Sequence, residues 1–129
     1  MDAGAKLVAF GATTDSVRAA AFYTNVLGLS IRYEDEFAVS LDSNGVELRL
    51  QKVEQFTPHS FTTLGWQVAS LRGILERLSA YGVEVERYDW LEQDAAGVWQ
   101  APSGARIVWF HDPDGNLLSV AQYRLAGEG

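Results

Sequence analysis

The chain predicts an α+β protein built from two β-α-β-β-β modules, and three observations carry that reading. The order strand, helix, strands occurs twice along 129 residues. The glycines that close the two helical patterns, Gly28 and Gly82, lie 54 positions apart. Each half also ends in a hairpin signal at the same place, Asn44-Gly45 in the first and Asp114-Gly115 in the second. A supersecondary unit repeated at a fixed spacing is the signature of internal duplication.

In the first half, Lys6 to Ala12 reads as a strand. Thr14 or Asp15 can then cap a helix whose apolar residues Ala19, Phe22, Tyr23, Val26 and Leu27 recur with helical spacing. Gly28 ends it in the C′ position. Leu29 to Asp35, Phe37 to Asp42 and Val46 to Lys52 follow as strands, the last two joined by Ser43-Asn44-Gly45. In the last of these, Val46, Leu48 and Leu50 make an apolar face that a helix must cover. The opposite face, carrying Glu47, Arg49 and Gln51, meets solvent or the hollow of a curved sheet.

Val53 to Ser60, with Pro58, is the linker between module one (about 6–52) and module two (about 61–124). The second half predicts a strand from Phe61 to Ala69, with Leu64, Trp66 and Val68 facing its helix and Trp66 in the core. Ser70 caps that helix, Leu71, Ile74, Leu75 and Leu78 line one face of it, and Gly82 closes it. Strands follow at Val83 to Tyr88, Ala105 to His111 and Leu117 to Tyr123. The extra length from Asp89 to Gly104 predicts a structured loop or a short added strand. Asp112-Pro113-Asp114-Gly115 combines a fixed φ, a side chain able to bond its own backbone, and a residue tolerant of positive φ, which specifies a tight turn.

Composition bounds the function. With 47% hydrophobic and 21% charged residues the chain is an ordinary globular one. No run reaches a membrane span, and the N-terminus lacks the order of a signal peptide, so the expectation is a cytoplasmic protein. The absence of cysteine excludes disulfides, thiolate metal sites and cysteine nucleophiles. A net charge of −7 argues against nucleic acid and anionic membrane as partners. It gives a slight advantage to a cationic ligand, while its general role is solubility.

The paired modules, the segment Ala21-Phe22-Tyr23-Thr24-Asn25-Val26-Leu27-Gly28-Leu29 and the turn Asp112-Pro113-Asp114-Gly115-Asn116 resemble the vicinal oxygen chelate superfamily. That superfamily includes glyoxalase I, extradiol dioxygenases, fosfomycin resistance proteins and bleomycin resistance proteins. The resemblance spans roughly Leu7 to Tyr123 and implies U-shaped mixed sheets around a central cleft, the glyoxalase/bleomycin resistance fold. It also implies a homodimer, for which exposed sheet edges give a physical motive.

Metal-dependent members hold a divalent ion with His or Glu from the first and last strand of each module. The matching positions here fall on Val8, Glu47, near Thr63, and on Ser119. Only Glu47 is a ligand of the kind required, since valine has no lone pair and neutral hydroxyls bind such ions weakly. The resemblance therefore implies no metal and no cofactor. His59 reads as a solvated linker residue. His111 reads as a polar residue at a strand end, or as a ligand-facing imidazole at the rim, because it shares a face with Ile107 and Trp109.

Glu47 beside Arg49 has three readings: a ligand-binding acid, a general base, or a surface ion pair. Tyr88, Trp90, Trp99, Trp109 and Tyr123 cluster in the second half; Trp99 and then Trp109 are the rings placed at a ligand. Stacking of flat aromatics on a planar or cationic ligand is how metal-free resistance-like members sequester antibiotics. The leading expectation is metal-independent binding of a small molecule, a toxic or antibiotic compound among the candidates. It involves Val8, Glu47, Arg49, Thr63, Trp99, Trp109, His111 and Ser119. The alternative is a lyase, isomerase or dioxygenase-like enzyme using Glu47 as base, or a rearranged metal site with Glu47 and His111. A third option is a partner protein whose hollow is vestigial.

Overall fold

The structure is a computed structural model and describes residues 1–123, so the predicted end of module two at Arg124 lies outside the described residues. The chain divides into two compact units, one ending at Pro58 and the next beginning at His59.

The first unit contains β1 (Val8–Thr13), α1 (Ser16–Asn25), β2 (Ser30–Glu34), β3 (Ala38–Ser43) and β4 (Val46–Lys52). Its sheet has the order β1-β4-β3-β2, with β1 parallel to β4 and the remaining pairs antiparallel. Asp15 is the N-cap of α1, and its carboxylate accepts the Arg18 N–H at 3.1 Å. Ala19, Phe22, Tyr23 and Val26 are buried with Val39, Leu41, Leu48 and Leu50. At roughly 1.5–3 kcal/mol for each large apolar side chain removed from water, this cluster fixes which face of the sheet α1 covers. The other face of β4 is left to Glu47 and Arg49.

The second unit contains β5 (Leu64–Gln67), α2 (Arg72–Ala80), β6 (Trp99–Gln100), β7 (Arg106–His111) and β8 (Leu117–Gln122), with sheet order β5-β8-β7-β6. Val108, Phe110, Leu118 and Val120 form its core with Leu71 and Leu78. Gln122 accepts the Leu71 N–H at 3.0 Å and so ties the start of α2 to β8. Gly28 and Gly82 hold matching left-handed conformations after the two helices, with φ of +74 and +68. After α2 the Val83 N–H returns to the Leu78 carbonyl at 2.8 Å, the bond that closes a Schellman turn.

Three sequence expectations are corrected in this unit. The strand expected over Val83 to Tyr88 does not form; only the bridge Val85↔Phe110 and the Glu86 N–H bond to the Trp109 carbonyl remain. Gln93 takes the place of a ladder there: its side-chain amide accepts the Tyr88 N–H and donates to the Glu86 carbonyl, groups a ladder would have used, and also donates to the Gly97 carbonyl. The strand expected from Phe61 to Ala69 shortens to β5, flanked by Thr63 and Val68 N–H bonds to β8, while Phe61 turns outward to stack on His59. The N-cap of α2 is Leu71 rather than Ser70, whose hydroxyl instead accepts the Arg72 N–H in a two-residue turn. The added strand in the longer loop is β6. No helix among the described residues is long and apolar enough to cross a membrane.

Candidate functional site

In the first unit the parallel register sets Val8 against Glu47 and Phe10 against Arg49, while β3 sets Ser40 against Arg49. Period-two alternation puts all of these on the face opposite α1. Glu47 Oε2 accepts from Ser40 Oγ at 2.6 Å and from Tyr33 Oη at 3.2 Å. Arg49 donates to the Tyr33 hydroxyl, lies 3.6 Å from Glu47 and stands 5.8 Å from the Tyr33 ring centre. The Ser40 hydroxyl holds the Glu47 carboxyl below its ordinary range; burial opposes this, and Tyr33 and Arg49 add to it. Ser40 and Tyr33 were not singled out from the sequence. The signal for Ser40 was available, since Val39 and Leu41 alternate with it and are fully buried on the helix side.

In the second unit Gly65 lies opposite Ser119, the place that Val8 holds against Glu47 in the first unit. Thr63 sits two residues earlier and donates its N–H to the Leu117 carbonyl at 3.0 Å. A Cβ at Gly65 would come within 2.8 Å of Ser119 Oγ and 3.6 Å of its carbonyl oxygen, so a side chain there would displace the Ser119 hydroxyl while the backbone stays in ordinary contact. Across β7 and β8, Trp109 pairs with Ser119 and His111 with Leu117, and β6 brings Trp99 opposite Ile107.

These residues do not fit a catalytic divalent ion. The strand positions supply a valine and one carboxylate, whose oxygen already accepts two hydrogen bonds beside an arginine, in the first unit, and a glycine and a serine hydroxyl in the second. Among the described residues no group of three His, Asp or Glu side chains is placed to hold a metal.

The aromatic residues of the second unit form a continuous surface. Trp99 and Trp109 centroids are 5.9 Å apart, Tyr88 meets Trp109 edge-on at 5.7 Å, and Trp90 lies 5.3 Å from Tyr88. No ring contact joins Tyr123 to them among the described residues, although the sequence grouped it there. The loop bearing Trp90 and Trp99 is fixed by Gln93 and by Arg87, whose guanidinium donates to the Asp94 and Ala95 carbonyls at 2.7 and 2.6 Å. Burial, with Glu86 nearby, raises the Tyr88 pKa and keeps its phenol protonated. At the end of this surface His111 Nδ1 lies 2.7 Å from Glu86 Oε1. Glu86 and Gln93 were missed by sequence reading, because their partners are set by an irregular loop with no period to follow. His59 remains exposed in the linker.

The site residues thus fall into two groups. Val8, Glu47 and Arg49 meet in the first unit, joined by Ser40 and Tyr33. Trp99, Trp109, His111, Ser119 and Thr63 lie in the second. Solved structures share this fold at low identity. A lactoylglutathione lyase from Agrobacterium tumefaciens is 20% identical, with 97% of this chain and 98% of that chain covered and a TM-score of 0.71. A bleomycin resistance determinant encoded on transposon Tn5 is 19% identical over 94% and 99%, with a TM-score of 0.73. The fosfomycin resistance protein FosX from Listeria monocytogenes is 18% identical over 97% and 94%, with a TM-score of 0.74. At such identities the likeness shows the fold alone. No curated protein sequence matches the chain. The family model described as Glyoxalase/Bleomycin resistance protein/Dioxygenase superfamily matches residues 9–120, nearly the whole chain, and the protein belongs to that superfamily.

Proposed function

We propose that this protein binds a planar small molecule without the help of a metal ion, and that toxic or antibiotic compounds are the class from which the ligand comes. The observation that carries the reading is the state of Glu47. It is the lone carboxylate among the strand positions where metal-dependent members of the superfamily place their ligands, and its oxygen is already engaged by Ser40 and Tyr33. A single engaged carboxylate does not compete with water for a divalent ion. The joined rings of Tyr88, Trp90, Trp99 and Trp109, tilted or edge-on to one another, offer individual aromatic faces on which a planar ligand can stack. The bleomycin and fosfomycin resistance proteins among the structural relatives make a protective role the natural one to test first.

Thermal-shift measurements with and without Zn²⁺, Ni²⁺, Mn²⁺ and Fe²⁺ test the metal-free part. The expected result is no stoichiometric stabilisation. A large stabilisation at one equivalent by any of these ions sinks the proposal.

The competing reading, Glu47 as a general base, is disfavoured by the hydrogen bonds that lower its pKa, since a carboxyl held ionised is a poorer proton acceptor near neutrality. Under the binding reading, Glu47→Gln abolishes no turnover. A homodimer is also part of this proposal, supported by the exposed Phe10, Ile31 and Phe37. Light scattering that gives only the monomer mass at micromolar concentration counts against it.

A further inference from the structure

We infer that Glu86 and His111 form the polar end of the aromatic surface in the second unit, and that together they select a planar organic cation bearing an N–H donor. The inference rests on the binding function proposed above and names the chemical class of its ligand. Val83, Val85 and Arg87 line a groove beside α2 with Leu75 and Leu78, and Glu84 also reaches it; the bridge Val85↔Phe110 puts Val85 on the face of buried Phe110. Glu86 and Tyr88 face the other way, Tyr88 onto Trp109 and Glu86 onto His111. His111 follows Trp109 by two residues in β7 and shares its face, a separation of roughly 7 Å along the strand.

A carboxylate can only accept, so the 2.7 Å contact makes His111 Nδ1 the donor to Glu86 Oε1. In the neutral ring that leaves Nε2 with a lone pair, and no protein group is bonded to it among the described residues. The pair therefore presents one imidazole acceptor backed by a negative charge, at the edge of rings whose faces attract cations. The surrounding chain reinforces the sign. Between Glu84 and Asp94 there are five acidic residues and one basic residue, Arg87, and Arg87 is committed to two backbone carbonyls. A neutral planar ligand gains the stacking but not this field, and an anion is repelled by it.

Isothermal titration calorimetry of the full chain, in buffer containing a metal chelator, tests this with three probes of one shape: 2-naphthamidinium, 2-naphthamide and 2-naphthoate. The amidinium is expected to bind at least tenfold more tightly than the amide, and the naphthoate most weakly. Glu86→Gln is expected to bring amidinium and amide within threefold of each other, and His111→Phe to reduce the same ratio. Because the readout is a ratio within one protein sample, a partly unfolded variant does not distort it. If amidinium and amide bind equally to the unsubstituted protein, or if Glu86→Gln leaves the ratio unchanged, cation selection is overturned while metal-free binding stands. If none of the probes binds, the inference is overturned. A stoichiometric thermal shift with a divalent metal overturns the function beneath it.

Discussion

Replacing Asp112 with alanine should destabilise the protein by about 2–6 kcal/mol, and the figure follows from a small set of hydrogen bonds. Asp112 is 5% exposed and holds the turn between β7 and β8. Its Oδ1 accepts the backbone N–H groups of Asp114 and Asn116, each at 2.9 Å, and its Oδ2 accepts the Asn116 side-chain amide at 2.8 Å. Asp114 is partly exposed and can turn its N–H to water, whereas Asn116 is buried and cannot. Two buried Asn116 donors deprived of the Asp112 carboxylate, at about 1–3 kcal/mol each, give the stated range. Asp112→Asn should cost less, about 1–3 kcal/mol, because its oxygen still serves the two backbone donors and only the amide meets another donor. Urea unfolding followed by tryptophan fluorescence measures both. The consequence reaches function, since this turn fixes the register that sets Trp109 opposite Ser119 and His111 opposite Leu117. An Asp112→Ala protein within 0.5 kcal/mol of the unsubstituted one would refute the argument that the carboxylate organises the turn.

Two further perturbations follow from the site geometry. Ser40→Ala should raise the Glu47 carboxyl pKa toward its ordinary value, because the Ser40 hydrogen bond is the largest cause of its depression; ¹³C NMR titration of the side-chain carboxyl reads this directly, and an unmoved value refutes it. Asp42, lowered chiefly by Arg32, and Asp35, lowered chiefly by the Phe37 and Ala38 N–H groups, behave alike. Each of these acids is lower in the folded state, so its stabilising contribution is present above the ordinary carboxylate pKa and is lost as pH falls through the depressed one. The stability of the unsubstituted protein should therefore decline on the acid side of that range, and Ser40→Ala should flatten the Glu47 share of the slope. Gln93→Ala removes the amide that bridges Tyr88, Glu86 and Gly97, and hydrogen exchange should quicken from 86 to 98 while β7 and β8 stay protected. Affinity for a planar ligand should fall in that variant, and unchanged exchange in the loop would refute the role given to Gln93.

What could be read from the sequence was whatever has a period or a turn chemistry. Both helices, the hairpin closed by Asn44-Gly45, the register of β4 and the Asp112 turn are local events, each announced by spacing or by residues suited to one backbone conformation. Glu47 could be picked out with its neighbour Arg49 for the same reason, since alternation along one strand decides which side chains share a face. The parts that escaped are those in which a side chain stands in for backbone. Gln93 occupies the hydrogen-bonding positions that a strand over Val83 to Tyr88 would have used, and no periodicity in that segment reveals the substitution. The Glu86–His111 pair escaped with it, because the two residues lie 25 positions apart and meet only once the loop is held in this irregular form. This has a physical consequence for how specificity can vary on the scaffold. The sheets are fixed by buried apolar residues that tolerate little change, whereas the acceptor pair and two of the four rings, Tyr88 and Trp90, ride on a loop anchored by Gln93 and Arg87. Substitutions in that loop can therefore alter the polar end of the aromatic surface without touching the core that holds the fold.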